Sequence, residues 1–548
     1  MSVRELTTTP RSLGPAIRAE TPRDMQRRLM IRAVIAVVAL GVLVRAALTI
    51  TTQFPINDGG LFYAFVVEYA KDWPHLPTTV LYNGYEIPFA YPPLSFFGGA
   101  ALVHLGVDPM SVVHYAPIVM NIVYSVLCIA FLVAARVPLN VTLFASVLFM
   151  FVPRSYEWLV MGGGLSRGLG SIAFVAAMIA LQIGARVSAA DRPLRLWLVH
   201  ACAGLFVGLA VLSHLEWGVL AAGGTLISVG LTAGSFRRFV ARSFVTGMVA
   251  VVVVLPWVVS VYMTHGLQPF LSASHTSEVG GMGHVYNLLN FVLHPLYLGP
   301  FVLLGIYVSW RRRDMLWLAL SIAALVLTPR QSLTPAAFFK SVVAGYALVY
   351  AVELISATVD RFRRTARGTR WPVMRVATQG SLLALAWLGI TALALTNSAL
   401  FLMASKKAST LTPAQRAAMA WVAREAPGSR FVIVDEDDWY EDKVAEWFPV
   451  LANALNLGTV QGSEWLPDDR FKVLGDVEHT VRDAKSCDAL INALPDYRGD
   501  YDYVWVQAYP ASKVRNRPSV RPDCFENSGR FGEVFRNPAV VIFRKRAA

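Results

Sequence analysis

Asp58 stands in the run Pro55-Ile56-Asn57-Asp58-Gly59-Gly60, a few residues past an apolar stretch that ends near residue 50. A carboxylate at such a boundary is costly to desolvate, which makes it a functional candidate by default. An Asp before Gly-Gly-Leu also suits an N-cap for the helix-like stretch that follows. The two roles are compatible, because a cap fixes the position of its carboxylate. A second candidate is the segment Tyr156-Glu157-Trp158-Leu159-Val160-Met161-Gly162-Gly163-Gly164-Leu165-Ser166-Arg167-Gly168. Glycines such as Gly163 and Gly164 let backbone N–H groups approach a ligand closely, and a helix beginning there offers an anion site at its N-terminus. Arg167 in that first turn opposes the helix dipole, which a ligand role would explain; a flexible connector is the plainer alternative. Ser213-His214-Leu215-Glu216-Trp217 places two ionisable groups between apolar stretches. His214 there reads equally well as a reactive group or a hydrogen-bonded core group. Arg330, Arg167 and Arg154 could grip a phosphate bidentately, with Lys340 as a further cation. Arg330 would otherwise snorkel as a membrane anchor. Tyr91, before Pro92-Pro93, either lines a site or anchors at the interface.

Two other groups are less specific. The stretch 264–286 carries His265, His275, His284 and Glu278, in a spacing that matches no known metal site, so a lid or acceptor loop fits as well. Asp435, Glu436, Asp437 and Asp438 could hold a cation but read more simply as a solvated loop. No CxxC or HExxH pattern is present.

The elements that must position these residues cross a membrane. The chain has 548 residues, 55% hydrophobic and 16% charged, with mean hydropathy +0.49. Soluble domains carry about 25% charged residues. Apolar stretches long enough to cross a core of ~30 Å recur up to residue 403. Eleven spans are predicted, near 31–50, 111–135, 138–153, 168–186, 195–213, 216–234, 243–262, 288–309, 315–329, 336–357 and 377–403. The apolar piece 92–107 reads as a juxtamembrane helix. The expected divisions are a basic N-terminal segment 1–30, a membrane domain 31–403 and a soluble α/β domain 404–548. The N-terminal stretch reads as a retained signal anchor with no small-x-small cleavage site.

Charge orients these spans. The net charge of +13 resides in residues 1–403, which hold 29 Lys/Arg against 15 Asp/Glu, and the remainder is close to neutral. With this span assignment, 23 Lys/Arg fall on one side and five in the loops of the other. The positive-inside rule then puts the N-terminus in the cytoplasm and the C-terminal domain outside, in the cell membrane. All the candidate chemistry above falls on the outer side. The basic pI is thereby a topology signal, and nucleic acid is excluded as a partner.

In the C-terminal domain, Thr412-Pro413 opens a helix to Glu425, and strands are predicted at Phe431–Val434, Tyr503–Gln507 and Val540–Arg544. Trp439, Trp447, Trp465 and Trp505 either stack sugars or fill the core. Cys128 and Cys202 lie in spans as small hydrophobes. Cys487 and Cys524 share the outward domain, where a disulfide can form.

The long first outer loop with Asn57-Asp58-Gly59, the Tyr91-Pro92-Pro93 entry to a juxtamembrane helix and the span count together resemble the GT-C glycosyltransferases. These are membrane enzymes dependent on polyprenyl-phosphate sugars, and include the protein mannosyltransferases and aminoarabinose transferases. The resemblance covers about residues 30–403. The best-known members carry paired acids in the first loop, where Asn57 here precedes a single Asp58. The aminoarabinose type carries an acid in the loop that here offers Glu157. The domain after 404 also looks like the tail of a prokaryotic subgroup, on Ala418-Met419-Ala420-Trp421-Val422, Glu446-Trp447-Phe448-Pro449 and Thr459-Val460-Gln461-Gly462-Ser463-Glu464-Trp465.

What the resemblance implies is inverting transfer of one sugar from a polyprenyl-phosphate donor to a glycan, lipid or protein acceptor, among membrane lipids. Asp58 would be the general base, and Arg330 and Arg167, with Arg154 and Lys340 near them, would meet the leaving phosphate. Asn57, Tyr91, Glu157, His214, Glu216, Gly163 and Gly164 would line the substrates. The scheme requires no cofactor, although a divalent cation is compatible with it. The rival readings are a transporter or flippase of lipid-linked glycans, and a glycan polymerase or ligase. The sequence shows no internal repeat, and residues 264–286 hold no Lys or Arg.

Overall fold

The computed structural model describes residues 22–187, 193–276, 281–330, 333–365, 379–404, 408–435, 437–494, 500–508 and 521–546. The leader up to residue 21, Glu278, Glu436 and most of the basic segment 361–375 lie outside them.

The chain opens with α1 (Pro22–Ile50), α2 (Gly60–Lys71), the hairpin β1 (Thr79–Tyr82) and β2 (Tyr85–Pro88), and α3 (Leu94–His104). Then follow α4 (Pro109–Ala134), α5 (Leu139–Phe151), α6 (Gly164–Gly184), α7 (Pro193–Ser213), α8 (Leu215–Thr232) and α9 (Phe236–His265). The membrane part ends with α10 (Gln268–His275), α11 (Gly281–Leu293), α12 (Gly299–Arg311), α13 (Met315–Leu327), α14 (Leu333–Thr365) and α15 (Gln379–Ala404).

Eight of these helices are long and apolar enough to cross a membrane, and two bent pairs raise the number to ten among the described residues. The chain is thus a multi-pass membrane protein. The predicted span 288–309 is one of the bent pairs: it breaks by 69° between α11 and α12, at Pro295, where a helix loses a hydrogen bond. The other break, of 87°, follows α5 and leads into the two 3₁₀ turns Pro153–Ser155 and Glu157–Leu159. The helix expected from residue 168 begins at Gly164, so part of the glycine run is its first turn. The short α13 spans only ~20 Å as a helix. Yet Ile56, after α1, bridges to Thr410, after α15. Both segments therefore sit on one face, which requires an even number of crossings between them. Counting the shorter apolar helix α13 as a crossing gives that number among the described residues.

The C-terminal domain contains α16 (Pro413–Glu425), β3 (Arg430–Val434), α17 (Lys443–Leu451), β4 (Leu455–Asn456), α18 (Arg470–Arg482) and α19 (Cys487–Ala493). It continues with β5 (Tyr503–Gln507), α20 (Pro522–Glu526), β6 (Phe531–Arg536) and β7 (Val540–Lys545). A capping box between Thr412 and Gln415 starts α16. The sheet order is β4-β3-β5-β7-β6, with β3 parallel to β4 and β5, and β7 antiparallel to β5 and β6. Alternation along β3 sends Phe431 and Ile433 into the core with α16 and α17, and Val432 and Val434 into the core with α19 and α20. A sheet covered on both faces reads as continuous apolar runs, which is why these strands were legible. The two-residue β4 and the solvent-facing β6 carried no such signal.

Trp447, Trp465 and Trp505 are buried and pack in the core. Cys487 and Cys524 form a disulfide that joins α19 to α20 across a separation of 37 residues. Replacing both by Ser should destabilise the domain by ~2–4 kcal/mol. The check is its thermal unfolding midpoint in detergent, with and without reductant; reductant should lower the wild-type midpoint and leave the variant's unchanged.

Candidate active site

The turn Asn57-Asp58-Gly59 connects the end of α1 to α2. Asn57 has φ +49° and Gly59 has φ +135°. A left-handed conformation costs an L residue about 1–2 kcal/mol, least for Asn, so external contacts must hold the turn. Asp58 does not cap α2, whose N-cap is Gly59 with no side-chain bond. Its carboxylate crosses to the neighbouring helix. Oδ1 accepts from the backbone N–H of Gly163 at 2.8 Å, and Oδ2 pairs with Arg167 Nη1 at 3.2 Å. Asp58 is therefore the anion at the N-terminus of α6, and both its side chain and that of Arg167 stay just over a tenth exposed (12% and 13%).

This geometry accounts for the glycines and for Arg167. A Cβ on Gly162 would lie 2.1 Å from the Asp58 carbonyl oxygen, and one on Gly163 would lie 2.5 Å from Asp58 Oδ2. On Gly164 it would lie 2.3 Å from the Leu159 carbonyl oxygen. Arg167, unfavourable against the helix dipole by itself, has Asp58 as its counter-ion, donates to the Trp158 carbonyl at 3.2 Å and lies over the Trp158 ring. Gly163 has an ordinary φ of −67°, so Gly163→Ala is tolerated by the backbone and acts by pushing the carboxylate aside. A displacement near 1 Å costs about 10²-fold in rate. That loss is expected in a transfer assay, at an unchanged protein level in membranes.

Around this pair lie further predicted residues. Tyr91 Oη is 3.4 Å from Ser166 Oγ, and its ring packs against Trp465 with centroids 5.5 Å apart. Burial raises its pKa, while the charges of Arg167 and Arg330 lower it. His214 is buried as the N-cap residue of α8, beside Gly170, and Glu216 sits in the first turn of that helix. Arg330 is exposed and donates to Thr276 Oγ1 at 3.2 Å.

Arg154 and Glu157 form a second group. They pair with each other at 2.5 Å, and Arg154 lines a cavity with Asn290, His294 and Lys340. Lys340 is buried there, donating to the His294 carbonyl at 2.7 Å. The two groups are adjacent through Glu157 and Trp158, neighbours in the turn that follows α5.

The expected solvated acidic loop is not what forms. Asp435 and Asp437 are buried, Lys443 lies 3.8 Å from Asp437, Arg482 pairs with Asp438, and Asp442 caps α17 through Ala445 N. Among the described residues, no three His, Cys, Asp or Glu side chains are arranged to hold a metal ion.

Residues from the C-terminal domain also reach the turn: Glu446, to which sequence reasoning gave no role, and Trp447, read there only as sugar-stacking or core. Glu446 Oε1 accepts from Gly59 N at 2.8 Å, and Trp447 Nε1 donates to the Asn57 carbonyl at 3.0 Å. Burial, then the nearby charge of Asp58, raises the pKa of Glu446. Glu464, beside Tyr91's partner Trp465, is also raised by burial, with Arg330 opposing. Their signal was acids beside Trp, in stretches singled out only for their resemblance to other tails.

No family model matches the chain, and no curated protein matches it in sequence. Solved structures do. The archaeal oligosaccharyltransferase AglB from Archaeoglobus fulgidus, in complex with an inhibitory peptide and a dolichol-phosphate, aligns over 86% of this chain and 69% of its own, at TM-score 0.53 and 14% identity. ArnT from Cupriavidus metallidurans, bound to undecaprenyl phosphate, aligns over 94% of this chain and 98% of its own, at TM-score 0.52 and 14% identity. These likenesses, at 14% identity, show the fold: over most of its length the chain has the GT-C fold.

Proposed function

We propose that this chain is an inverting glycosyltransferase that moves one hexosyl or pentosyl unit from a polyprenyl-phosphate donor to an acceptor hydroxyl. The observation that carries the reading is the Asp58 carboxylate, oriented by Gly163 N–H and Arg167 on the face shared by the first loop and the C-terminal domain. In the proposed step the acceptor oxygen attacks the anomeric carbon as Asp58 takes its proton. The bond from that carbon to the phosphate oxygen breaks, and the lipid phosphate leaves as an anion. Arg330, the exposed cation whose charge reaches Tyr91 and Glu464, stabilises that charge, as preorganised donors do where charge develops. Lys340 and Arg154 supply cations at the adjoining cavity, where a lipid phosphate would be seated. AglB and ArnT were solved with polyprenyl phosphates, which supports this donor class. The charge bias of the loops supports a position of this face outside the cell membrane. The buried Arg45 in α1 has its donors engaged by α4, α5 and Ser155, so it gives the transporter reading no support.

The test is incubation of membranes containing the protein with a panel of labelled polyprenyl-phosphate sugars. Label should pass from the lipid to a product in wild type and stay on the lipid in Asp58→Ala. Equal transfer by both would reject the reading.

A further inference from the structure

We propose that Glu446 is a positioning residue for this transfer, through which the C-terminal domain holds the turn that carries Asp58. The inference rests on the function proposed above for Asp58. It starts from a division of labour in the turn. The Asp58 carboxylate is held by α6 of the membrane part, whereas the backbone on either side of it is held by the C-terminal domain. Before Asp58, Asn57 N donates to the Ser409 carbonyl at 2.9 Å, and its own carbonyl accepts from Trp447 Nε1 at 3.0 Å. After Asp58, Gly59 N donates to Glu446 Oε1 at 2.8 Å. Two consecutive residues of α17 thus grip the two residues flanking Asp58.

Glu446 is itself fixed from a third direction. Its backbone carbonyl accepts from Tyr82 Oη, on β1, at 2.6 Å. The approach of α17 to the start of α2 is close: a Cβ on Gly60 would lie 2.3 Å from the Glu446 carbonyl oxygen. A helix N-terminus leaves its first N–H groups without partners, and α2 has no side-chain cap of its own. Glu446 supplies that cap from nearly four hundred residues away in the chain. A buried carboxyl is expensive unless its hydrogen bonds are met, and this one, only 3% exposed, meets them at the turn. Burial and the nearby charge of Asp58 raise its pKa, against the hydrogen bonds from Gly59 and Leu61; the contact with Gly59 asks only for an acceptor oxygen, which a glutamine amide also supplies.

The experiment measures kcat and KM for labelled donor with the purified full-length protein in lipid vesicles. Glu446→Gln should keep kcat within about twofold of wild type. Glu446→Ala should lower kcat by roughly 10–100-fold, the range that loss of a positioning contact gives, with KM changed by less than about threefold. Wild-type kcat in Glu446→Ala would overturn the proposal. So would a Glu446→Gln variant as impaired as Glu446→Ala, since the carboxyl would then be needed for its charge. Asp58→Asn run in parallel separates the two readings: full activity there defeats the proposed function, while an inactive Asp58→Asn beside a fully active Glu446→Ala defeats only the role of Glu446. If Glu446→Ala fails to accumulate, Glu446→Asp substitutes for it. The shorter side chain withdraws the carboxyl from Gly59, so a fall in kcat supports the proposal and an unchanged kcat overturns it.

Discussion

Asp58→Asn is expected to lower the transfer rate by ~10²–10⁴-fold, the usual contribution of a positioned general base. The substitution is nearly isosteric. The amide oxygen can still accept from Gly163 N–H, so the cap on α6 survives, while the charge opposite Arg167 and the capacity to take a proton are lost. The protein should therefore insert normally, retain its Cys487–Cys524 disulfide and still bind donor. Its defect should appear in kcat rather than KM, because the proton moves only in the transition state. A variant that loses donor binding and keeps its rate at saturation would place Asp58 in recognition instead.

The largest effect on stability is expected at Arg45. This guanidinium is fully buried among α1, α4 and α5. It donates to Asn121 Oδ1 and Ser125 Oγ on α4, to Ser155 Oγ, and to the Met150 and Phe149 carbonyls in the last turn of α5. Those carbonyls have no partner within their own helix, and a cation at a helix C-terminus is favourable. Arg45 also lies over the rings of Phe149 and Tyr156. In Arg45→Leu, Ser155 still donates to the Phe149 carbonyl, but the Met150 carbonyl and Asn121 Oδ1 lose their donor. Each buried acceptor left bare costs ~1–3 kcal/mol, so a loss of about 2–6 kcal/mol for the two is expected. Thermal unfolding of the detergent-purified protein should show a clearly lowered midpoint. Activity should fall with it, because the end of α5 leads through the turns at 153–159 to the glycines beneath Asp58. An unchanged midpoint would mean that water reaches this site and replaces the guanidinium.

These residues show what the sequence could and could not disclose. The spans were legible because crossing a lipid core demands a long apolar run whatever the run packs against. The bend at Pro295 and the early start of α6 at Gly164 depend on local packing, and the hydropathy pattern averages over them. Asp58 and the Gly162–Gly164 run were each visible as chemistry-bearing types. That the carboxylate of one caps the helix begun by the other is a long-range contact, which no local spacing encodes. Arg167 carried a usable hint, since a cation in the first turn of a helix calls for a counter-ion. In the sequence Arg45 is only a charge inside the predicted span 31–50; its capping of α5 requires knowing that α1 and α5 are neighbours. Glu446 is the clearest omission. Its run stands out only for its resemblance to other tails, and its contact with Gly59 exists only once that domain is seated on the first loop.

The central claim is that Asp58 promotes direct attack of an acceptor hydroxyl on a lipid-phosphate-linked sugar. The measurement that tests it most directly is the anomeric configuration of the product, read by NMR from a donor labelled at the anomeric carbon. A single in-line displacement predicts inversion in wild type, with product forming ~10²–10⁴-fold more slowly from Asp58→Asn. Retention of configuration, or equal product from both proteins, would contradict the account.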